Sequence, residues 1–302
     1  MDGSKQCLET GVGAVAAPVA RDWQTPLLLL LVGAVFGSAF LFMRVAAPEL
    51  GPQTLVGVRL GCGALVLLPF VWQARRQLPL RRWPLVTLIG VVNGAIPFLL
   101  FALAAQRAPA AVGAICNAMA VLFTALVAMV AFGERIGTQR AIALVTGFAG
   151  VVVLATAKVS GLALGPAVLA GTGGAFCYGI GMNLVKRNLS DLPPAAAAGA
   201  TLGSSALLVL PLALIAWPQV PASAAAWGSA VALGVVGTGL AFIPYFRLIQ
   251  RIGATRTSVV AYLIPLFATL LAWLLLGEPV TLMMLLAGAL ILGSVAISQR
   301  AR

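Results

Sequence analysis

Histidine is absent from this 302-residue chain, and carboxylates are scarce. Zinc proteases with two histidine ligands, serine–histidine proteases and histidine-dependent membrane acyltransferases are therefore excluded. The few acids lie in the tails or at the ends of expected helices, so no membrane-buried carboxylate is available to carry a proton or a cation. We expect no catalytic site, no metal and no cofactor. The acids are Asp2, Glu9, Asp22, Glu49, Glu134, Asp191 and Glu278.

Charged residues make up only 9% of the chain, whereas apolar residues make up 61%. Polar groups could not cover that much apolar surface in water, so lipid must be the solvent for most of the chain. The scattered cysteines Cys7, Cys62, Cys116 and Cys177 lack metal or redox spacing and are expected to be structural. A hydrocarbon core about 30 Å thick takes roughly 20 helical residues. We predict an all-α integral membrane protein with ten spans, at 24–44, 52–72, 84–106, 109–132, 139–157, 164–185, 195–216, 227–249, 255–276 and 280–298.

The net charge of +12 is distributed unevenly along the chain. Cytoplasmic loops of membrane proteins collect Lys and Arg, so the imbalance indicates orientation rather than nucleic-acid binding. We expect a cytoplasmic tail at 1–23 and both termini in the cytoplasm. The expected inner side holds Lys5, Arg21, Arg75, Arg76, Arg81, Arg82, Arg135, Arg140, Lys186, Arg187, Arg247, Arg251, Arg256, Arg300 and Arg302, whereas the outer side holds Arg44, Arg107 and Lys158, and Arg59 falls within a span.

Sliding the chain against itself by 144 residues aligns several uncommon residues without a gap. Each copy holds five expected spans, an odd number, so the second copy must cross the membrane in the opposite sense. The arginine-rich loop at 75–82 corresponds to a loop at 218–226 that has no basic residue. We predict inverted repeats at 24–157 and 158–302, an arrangement that favours alternating access to a central site. The aligned pairs include Trp83 with Trp227, Gln106-Arg107 with Gln250-Arg251, and Gly133-Glu134 with Gly277-Glu278.

The two Gly-Glu pairs close equivalent spans, and several shorter fragments accompany them. These are Gly37-Ser38-Ala39-Phe40, Pro52, Arg59, Ala108-Pro109-Ala110, Ala175-Phe176-Cys177-Tyr178, Gly253-Ala254, Pro279 and Gly288. With this pattern the chain resembles the EamA family of the drug/metabolite transporter superfamily, and within it the aromatic amino-acid exporters. The resemblance implies an exporter of amino acids or other metabolites in a bacterial inner membrane. It also implies a cavity among spans 1, 3, 4, 6, 8 and 9, with spans 5 and 10 outside.

The residues within the spans favour a neutral or zwitterionic solute. A phosphate-bearing solute would favour several buried cations, yet Arg59 is the one basic residue clearly inside a span. The first span also lacks the glutamate expected of a small multidrug-type cation exporter. Backbone groups freed at Pro97, Pro244 and Pro265 could hold the charged ends of a zwitterion, although each proline can equally be a packing kink.

The polar and aromatic side chains of the spans are the candidate substrate-binding residues. For the asparagines, substrate contact and a structural link between helices are equally good interpretations, since a buried amide in lipid needs a partner. A wall of rings, which would include Phe36 and Phe246, suits an aromatic or aliphatic side chain, although core packing or lipid exposure also explains any single ring. The candidates are Ser38, Asn93, Phe98, Phe101, Asn117, Tyr178, Asn183, Phe242, Tyr245, Ser258 and Tyr262.

Three charged residues are expected to be structural. We expect Glu134 and Glu278 to cap the next helix or to pair with a nearby arginine, with substrate binding as the lesser alternative. Arg59 is expected to extend its charge to the outer surface or to pair with Glu49, with attraction of anions in the vestibule as the lesser alternative.

We therefore expect a transporter that exports amino acids, aromatic or neutral, and similar small metabolites, or facilitates their flux. Its partners are the small solute and the lipid bilayer, without nucleic acid. One alternative is an exporter of another neutral metabolite or a drug-like compound. A second alternative, from a different class, is a helical scaffold or sensor that moves no solute. The oligomeric state stays open, with a monomer among the options.

Overall fold

The computed structural model describes residues 23–134, 137–159 and 162–300, so the predicted tail lies outside the described residues except for Trp23. These ranges are almost entirely helical. Short 3₁₀ turns occur at Arg75–Gln77 and Leu80–Arg82, and two strands, β1 (Lys158–Val159) and β2 (Leu162–Ala163), pair antiparallel. The helices are α1 (Gln24–Gln73), α2 (Trp83–Gly90), α3 (Ile96–Arg107), α4 (Ala110–Ala118), α5 (Ala120–Phe132), α6 (Thr138–Thr156), α7 (Gly165–Asn188), α8 (Pro194–Ile215), α9 (Ala224–Gly234), α10 (Phe242–Ile252), α11 (Ala254–Thr257), α12 (Val260–Leu276) and α13 (Leu282–Arg300).

Within the described ranges, eight helical segments are long and apolar enough to cross a membrane. Large apolar side chains cover their outer surfaces, and Val145, Leu169 and Leu207 are each 72% exposed. Such a surface suits lipid rather than water, which confirms the prediction of an all-helical multi-pass membrane protein. Helix α12 is also apolar but has only 17 residues. The eight segments are Gln24–Gln73, Leu80–Arg107, Ala110–Phe132, Thr138–Thr156, Gly165–Asn188, Pro194–Ile215, Ala224–Ile252 and Leu282–Gln299.

Helix α1 is 50 residues long and folds back on itself near its middle. A straight helix of that length would measure about 75 Å, far more than a hydrocarbon core of about 30 Å. The reversal lies at Gly51, whose φ of 72° and ψ of 159° are open essentially to glycine alone. Arg59 Nη1 lies 3.6 Å from the sulfur of Met43, 16 residues earlier. The two arms of α1 are therefore antiparallel and in contact.

Two π-helical turns occupy positions that correspond across the 144-residue shift, at Val91–Ala95 and Val235–Leu240. At the end of the first turn, the N–H of Ile96 bonds to the carbonyl of Val91, five residues back. A proline follows each turn, Pro97 in α3 and Pro244 in α10. Proline has no N–H to offer the carbonyl four residues earlier, which accounts for the local widening of each helix.

Close packing joins helices of the two predicted repeats through related contacts. A Cβ added to Gly37 in α1 would lie 2.7 Å from Phe267 Cβ in α12. A Cβ added to Gly179 in α7 would likewise lie 2.7 Å from Phe123 Cβ in α5. Phe123 and Phe267 are 144 residues apart in the sequence. Because lipid does not drive helices together by the hydrophobic effect, approach this close contributes much of their attraction.

Ion pairs join elements at one end of the bundle, which we call the basic face. Arg187 pairs with Glu134 at 2.9 Å, and Arg82 pairs with Asp191 at 2.7 Å. The hydrogen bond from Arg82 lowers the pKa of Asp191 below its ordinary value. This carboxylate therefore stays charged at neutral pH, and the pair ties the loop before α2 to the loop before α8.

A tighter network closes the other end of the bundle, which we call the opposite face. Arg44 Nε lies 2.7 Å from Glu278 Oε1, and Arg44 Nη1 donates to the carbonyl of Ala105 at 2.9 Å. The second carboxylate oxygen of Glu278 accepts a hydrogen bond from Ala110 N–H at 2.8 Å. Here and in the Glu134 pair, the expected pairing of each glutamate with an arginine is confirmed.

We expect Gly37→Val and Gly179→Val each to destabilise the protein, because a side chain would push α1 from α12, or α7 from α5. Overpacking of this kind costs about 1–3 kcal/mol. The measurement is the midpoint of thermal unfolding in detergent. Gly61→Val in α1 is the matched control, because no atom lies within 4 Å of an added Cβ there. Equal loss of stability in all three variants would contradict this packing.

Candidate functional site

A cavity of about 640 Å³ lies in the middle of the bundle. Its walls come from both arms of α1, from α2 to α5, and from α7, α8, α10, α11 and α12, together with the two π-helical turns. Helices α6 and α13 do not contribute to the described lining. This placement matches what the resemblance implies for spans 5 and 10. The second arm of α1 and helix α8 add walls that the resemblance did not include.

Aromatic rings form two clusters on the cavity wall. In the first cluster, Phe101 stacks on Tyr178 with 5.8 Å between ring centres and meets Phe40 edge-on at 5.7 Å. In the second cluster, Phe36 meets Tyr245 edge-on at 5.6 Å. Phe98 belongs to the first cluster, and Phe242 and Phe246, whose rings stack at 5.4 Å, belong to the second. The candidates Phe98, Phe101, Tyr178, Phe242 and Tyr245 all lie on this wall.

Arg59, in the second arm of α1, lines the cavity with only 7% of its surface exposed. Its Nε donates to Thr238 Oγ1 at 3.0 Å, and its guanidinium carbon lies 3.4 Å from the centre of the Phe98 ring. The expected snorkelling and the expected pair with Glu49 are both wrong. Arg59 lies two helical turns below the reversal at Gly51 and points inward, whereas Glu49 accepts hydrogen bonds from Ser223 N–H at 2.6 Å and Ser223 Oγ at 2.9 Å.

Three further candidates, Asn93, Asn117 and Ser258, also line the cavity. Asn93 lies in the first π-helical turn, and its Oδ1 is buried without a hydrogen-bond partner in the described part of the chain. Asn117 lies near the end of α4, where the helix breaks at Met119 before α5 begins. Ser258 lies in a second break, between α11 and α12. Helix interruptions thus bring polar side chains to the cavity from both predicted repeats.

The remaining three candidates lie outside the cavity lining and bond to the protein. Asn183 is buried, and its Nδ2 donates to the carbonyls of Thr124 and Gly179, both at 2.9 Å. Tyr262 donates to Gln299 Oε1 at 3.0 Å, toward α13. The hydroxyl of Ser38 donates to the carbonyl of Val35 at 2.9 Å. Across the described ranges, no group of three or more Cys, Asp or Glu side chains is placed to hold a metal ion.

The cavity reaches the basic face and stops short of the opposite face. Exposed residues of α7 and α8, namely Met182, Lys186 and Pro194, border it near the basic face. At the other end the lining stops at Met43, one residue before Arg44 of the closing ion pair. The cavity in this structure is therefore open toward the basic face and closed toward the opposite face.

Arg59 is the site residue that sequence reasoning failed to place. An ionisable residue within a span is by default a functional candidate, and Arg59 is the one basic residue clearly inside a predicted span. No carboxylate occurs in any predicted span to neutralise it. Those two facts together were the signal that could have assigned it to the cavity.

Comparison with known proteins places the chain in a family. A model described as the EamA-like transporter family matches residues 24–156 and again residues 165–299. The chain is 26% identical to the uncharacterized transporter YdfC of Bacillus subtilis strain 168, over 89% of this chain and 88% of that one. It is 24% identical to an uncharacterized transporter of Archaeoglobus fulgidus, over 91% and 99% of the two chains.

A solved structure shows that the fold is shared. It is a crystal structure of a protein that is 21% identical to this chain. The two structures superpose with a TM-score of 0.62, and the match covers 91% of this chain and 95% of the other. Two matches of one family model cover nearly the whole sequence and carry the assignment. This chain is a multi-pass membrane protein and belongs to the EamA-like transporter family.

Proposed function

We propose that this protein moves amino acids, aromatic or neutral, and similar small metabolites through its central cavity. The observation that carries the proposal is a cavity with an aromatic wall that is open at one face of the bundle and closed at the other. Its volume of about 640 Å³ falls within the range of about 300–1,000 Å³ typical of small-molecule sites. The rings suit an aromatic or aliphatic side chain, and we assign the chain no catalytic step.

The proposed architecture has ten crossings in two inverted five-helix repeats, at 24–157 and 158–302. The eight long segments give nine crossings when each arm of α1 counts separately, and α12 gives the tenth. The double match of the family model supports a duplication. The related contacts of Gly37 and Gly179 support it as well. Inverted repeats can exchange conformations, which opens one central site to each side in turn.

The two glutamate–arginine pairs are the proposed gates. Glu278 pairs with Arg44 and accepts from Ala110 N–H, so one carboxylate holds α1, α4 and the end of α12 together. In the described part of the chain, its counterpart Glu134 pairs with Arg187, and both of those side chains are exposed. In the state open to the opposite face, we expect the Glu134 pair to become the buried one and the Glu278 pair to open.

The proposed location is a bacterial inner membrane, with the basic face and both termini in the cytoplasm. The positive-inside bias supports this orientation. The cavity would then receive solute from the cytoplasm in the state described here, which fits export. Lys186 at the mouth adds a positive charge that would attract anionic groups.

We expect purified protein in liposomes to catalyse saturable flux of labelled phenylalanine. The flux should run down a concentration gradient without an imposed proton gradient, because the predicted spans contain no carboxylate. The measurement is the initial uptake rate with and without a protonophore, against protein-free liposomes. Saturable flux of another neutral metabolite without phenylalanine flux would favour the alternative substrate class, and no flux of any solute in a broad panel would favour the scaffold.

Breaking the gate at the opposite face should expose the cavity to that face. We would test this with Ala120→Cys, at a half-buried cavity position, in a chain whose four native cysteines are replaced by alanine. The measurement is the reaction rate with a membrane-impermeant maleimide added from one side. Glu278→Gln should raise the rate from the opposite face about fivefold or more, since a gate contact biases a two-state equilibrium.

Glu134→Gln is the matched control for the gate experiment, since it removes the equivalent carboxylate from the exposed pair at the basic face. It should not raise labelling from the opposite face. A rise of the same size in both variants would show that neither pair is a specific gate. Ala143→Cys, at a buried position outside the cavity lining, should stay unreactive in every background.

A further inference from the structure

The guanidinium of Arg59 is buried without a carboxylate partner. Each carboxylate in the described ranges is engaged elsewhere, and none of these engagements involves Arg59. The partners are Ser223 for Glu49, Arg187 for Glu134, Arg82 for Asp191 and Arg44 for Glu278. A buried charge left without a counter-ion carries a large desolvation cost. Because Arg59 lines the cavity, an anion that enters from outside the protein could compensate this charge.

The surrounding side chains fix Arg59 in place but do not neutralise it. Thr238 Oγ1 accepts from Arg59 Nε and donates its one proton to the carbonyl of Leu233 at 2.9 Å, so this neutral hydroxyl orients Arg59 without supplying a negative charge. The Phe98 ring covers one side of the guanidinium plane, and Met43 contributes a weakly accepting sulfur. Among the described residues, none accepts a hydrogen bond from Nη2. The guanidinium is therefore pre-positioned with donor capacity left over.

We propose that Arg59 is the receptor for a single carboxylate group on the transported solute, which must carry that group on an apolar or aromatic body. This inference rests on the proposed transport function and names the substrate class. One guanidinium provides the two parallel donors that a carboxylate takes. The Phe98, Phe101 and Tyr178 rings beside it receive the apolar body. A phosphate dianion would require further cations beside Arg59. Lys186 does not supply one there, because it is exposed at the mouth of the cavity.

The test compares three ligands that differ only at their polar ends: phenylalanine, phenylalaninamide, which lacks the carboxylate, and 3-phenylpropionate, which lacks the amine. Binding is measured on the full-length protein in detergent by the ligand-induced shift of thermal unfolding. Phenylalanine and 3-phenylpropionate should both bind at least about tenfold more tightly than phenylalaninamide, as expected for a hydrogen-bonded charge. Tight binding of phenylalanine alone would show that the amine, rather than the carboxylate by itself, decides recognition, and would overturn the inference.

Arg59→Met should abolish this discrimination, so that the three ligands bind within about threefold of one another. Arg59→Lys should retain part of it, because the charge remains without the planar fork. Arg81→Met, at an exposed position on the basic face, is the matched control and should behave as the wild type. Arg59→Met should also leave the midpoint of thermal unfolding without ligand unchanged or raise it, because it removes an uncompensated buried charge.

The outcomes separate this inference from the proposed function. If phenylalaninamide binds the wild type as tightly as phenylalanine, or if Arg59→Met keeps the discrimination, the carboxylate receptor is wrong while transport stands. If Arg59→Met lowers the midpoint of thermal unfolding by several degrees but still distinguishes the three ligands, Arg59 has a structural role. If none of the three ligands binds the wild type and none shows saturable flux in liposomes, both the receptor and the amino-acid function fail.

Discussion

Lipid does not drive apolar helices together as water does, so this fold depends on how closely its helices can approach one another. Gly37 and Gly179 provide that approach, and each places its helix backbone against a phenylalanine of the other predicted repeat. The contacts join α1 to α12 and α7 to α5, so each half of the molecule is held by the other. Both contacts bring a glycine against the Cβ and backbone of the facing helix, so each pair of helices approaches more closely than a larger side chain would allow.

Charge is confined to positions where it can be compensated. Ion pairs lie at the two ends of the bundle, and the one at the opposite face is the more enclosed, with 30% and 12% of the Arg44 and Glu278 side chains exposed. Arg59 is the exception, because it lies within the bundle without a carboxylate partner in the described part of the chain. The charges thus differ along the bundle: an enclosed ion pair at the closed end, exposed ion pairs at the open end and one buried arginine in the cavity. A simple packed helical core would not need this distribution.

Much of the fold could be predicted from composition and periodicity, because a chain in lipid must satisfy its backbone within helices. Predicted spans such as 164–185 and 195–216 agree closely with α7 and α8. The predicted span 24–44 is too short, because α1 continues past residue 44 to the reversal at Gly51. A single glycine with positive φ can reverse a helix without a polar loop, so hydropathy alone does not locate the turn.

The cavity-lining residues were harder to predict from the sequence, because the side of a helix that faces the cavity depends on the rotation of that helix about its axis. Asn93 and Asn183 are both amides within predicted spans, yet the first lines the cavity and the second binds backbone carbonyls of α5 and α7. Tyr262 turns toward α13 for the same reason. Rotation is set by contacts between distant segments, and a polar residue's identity does not reveal which neighbour it will meet.

The two π-helical turns are equivalent in backbone but differ in the side chains they carry. Asn93 of the first turn corresponds to Gly237 in the second, and Thr238 of the second corresponds to Gly94 in the first. In the proposed duplication, the two turns therefore share a backbone shape while each carries its own side chains. A solute between the two turns would meet an amide on one side and a hydroxyl on the other. The proposed transport would therefore require the solute to bind in one orientation.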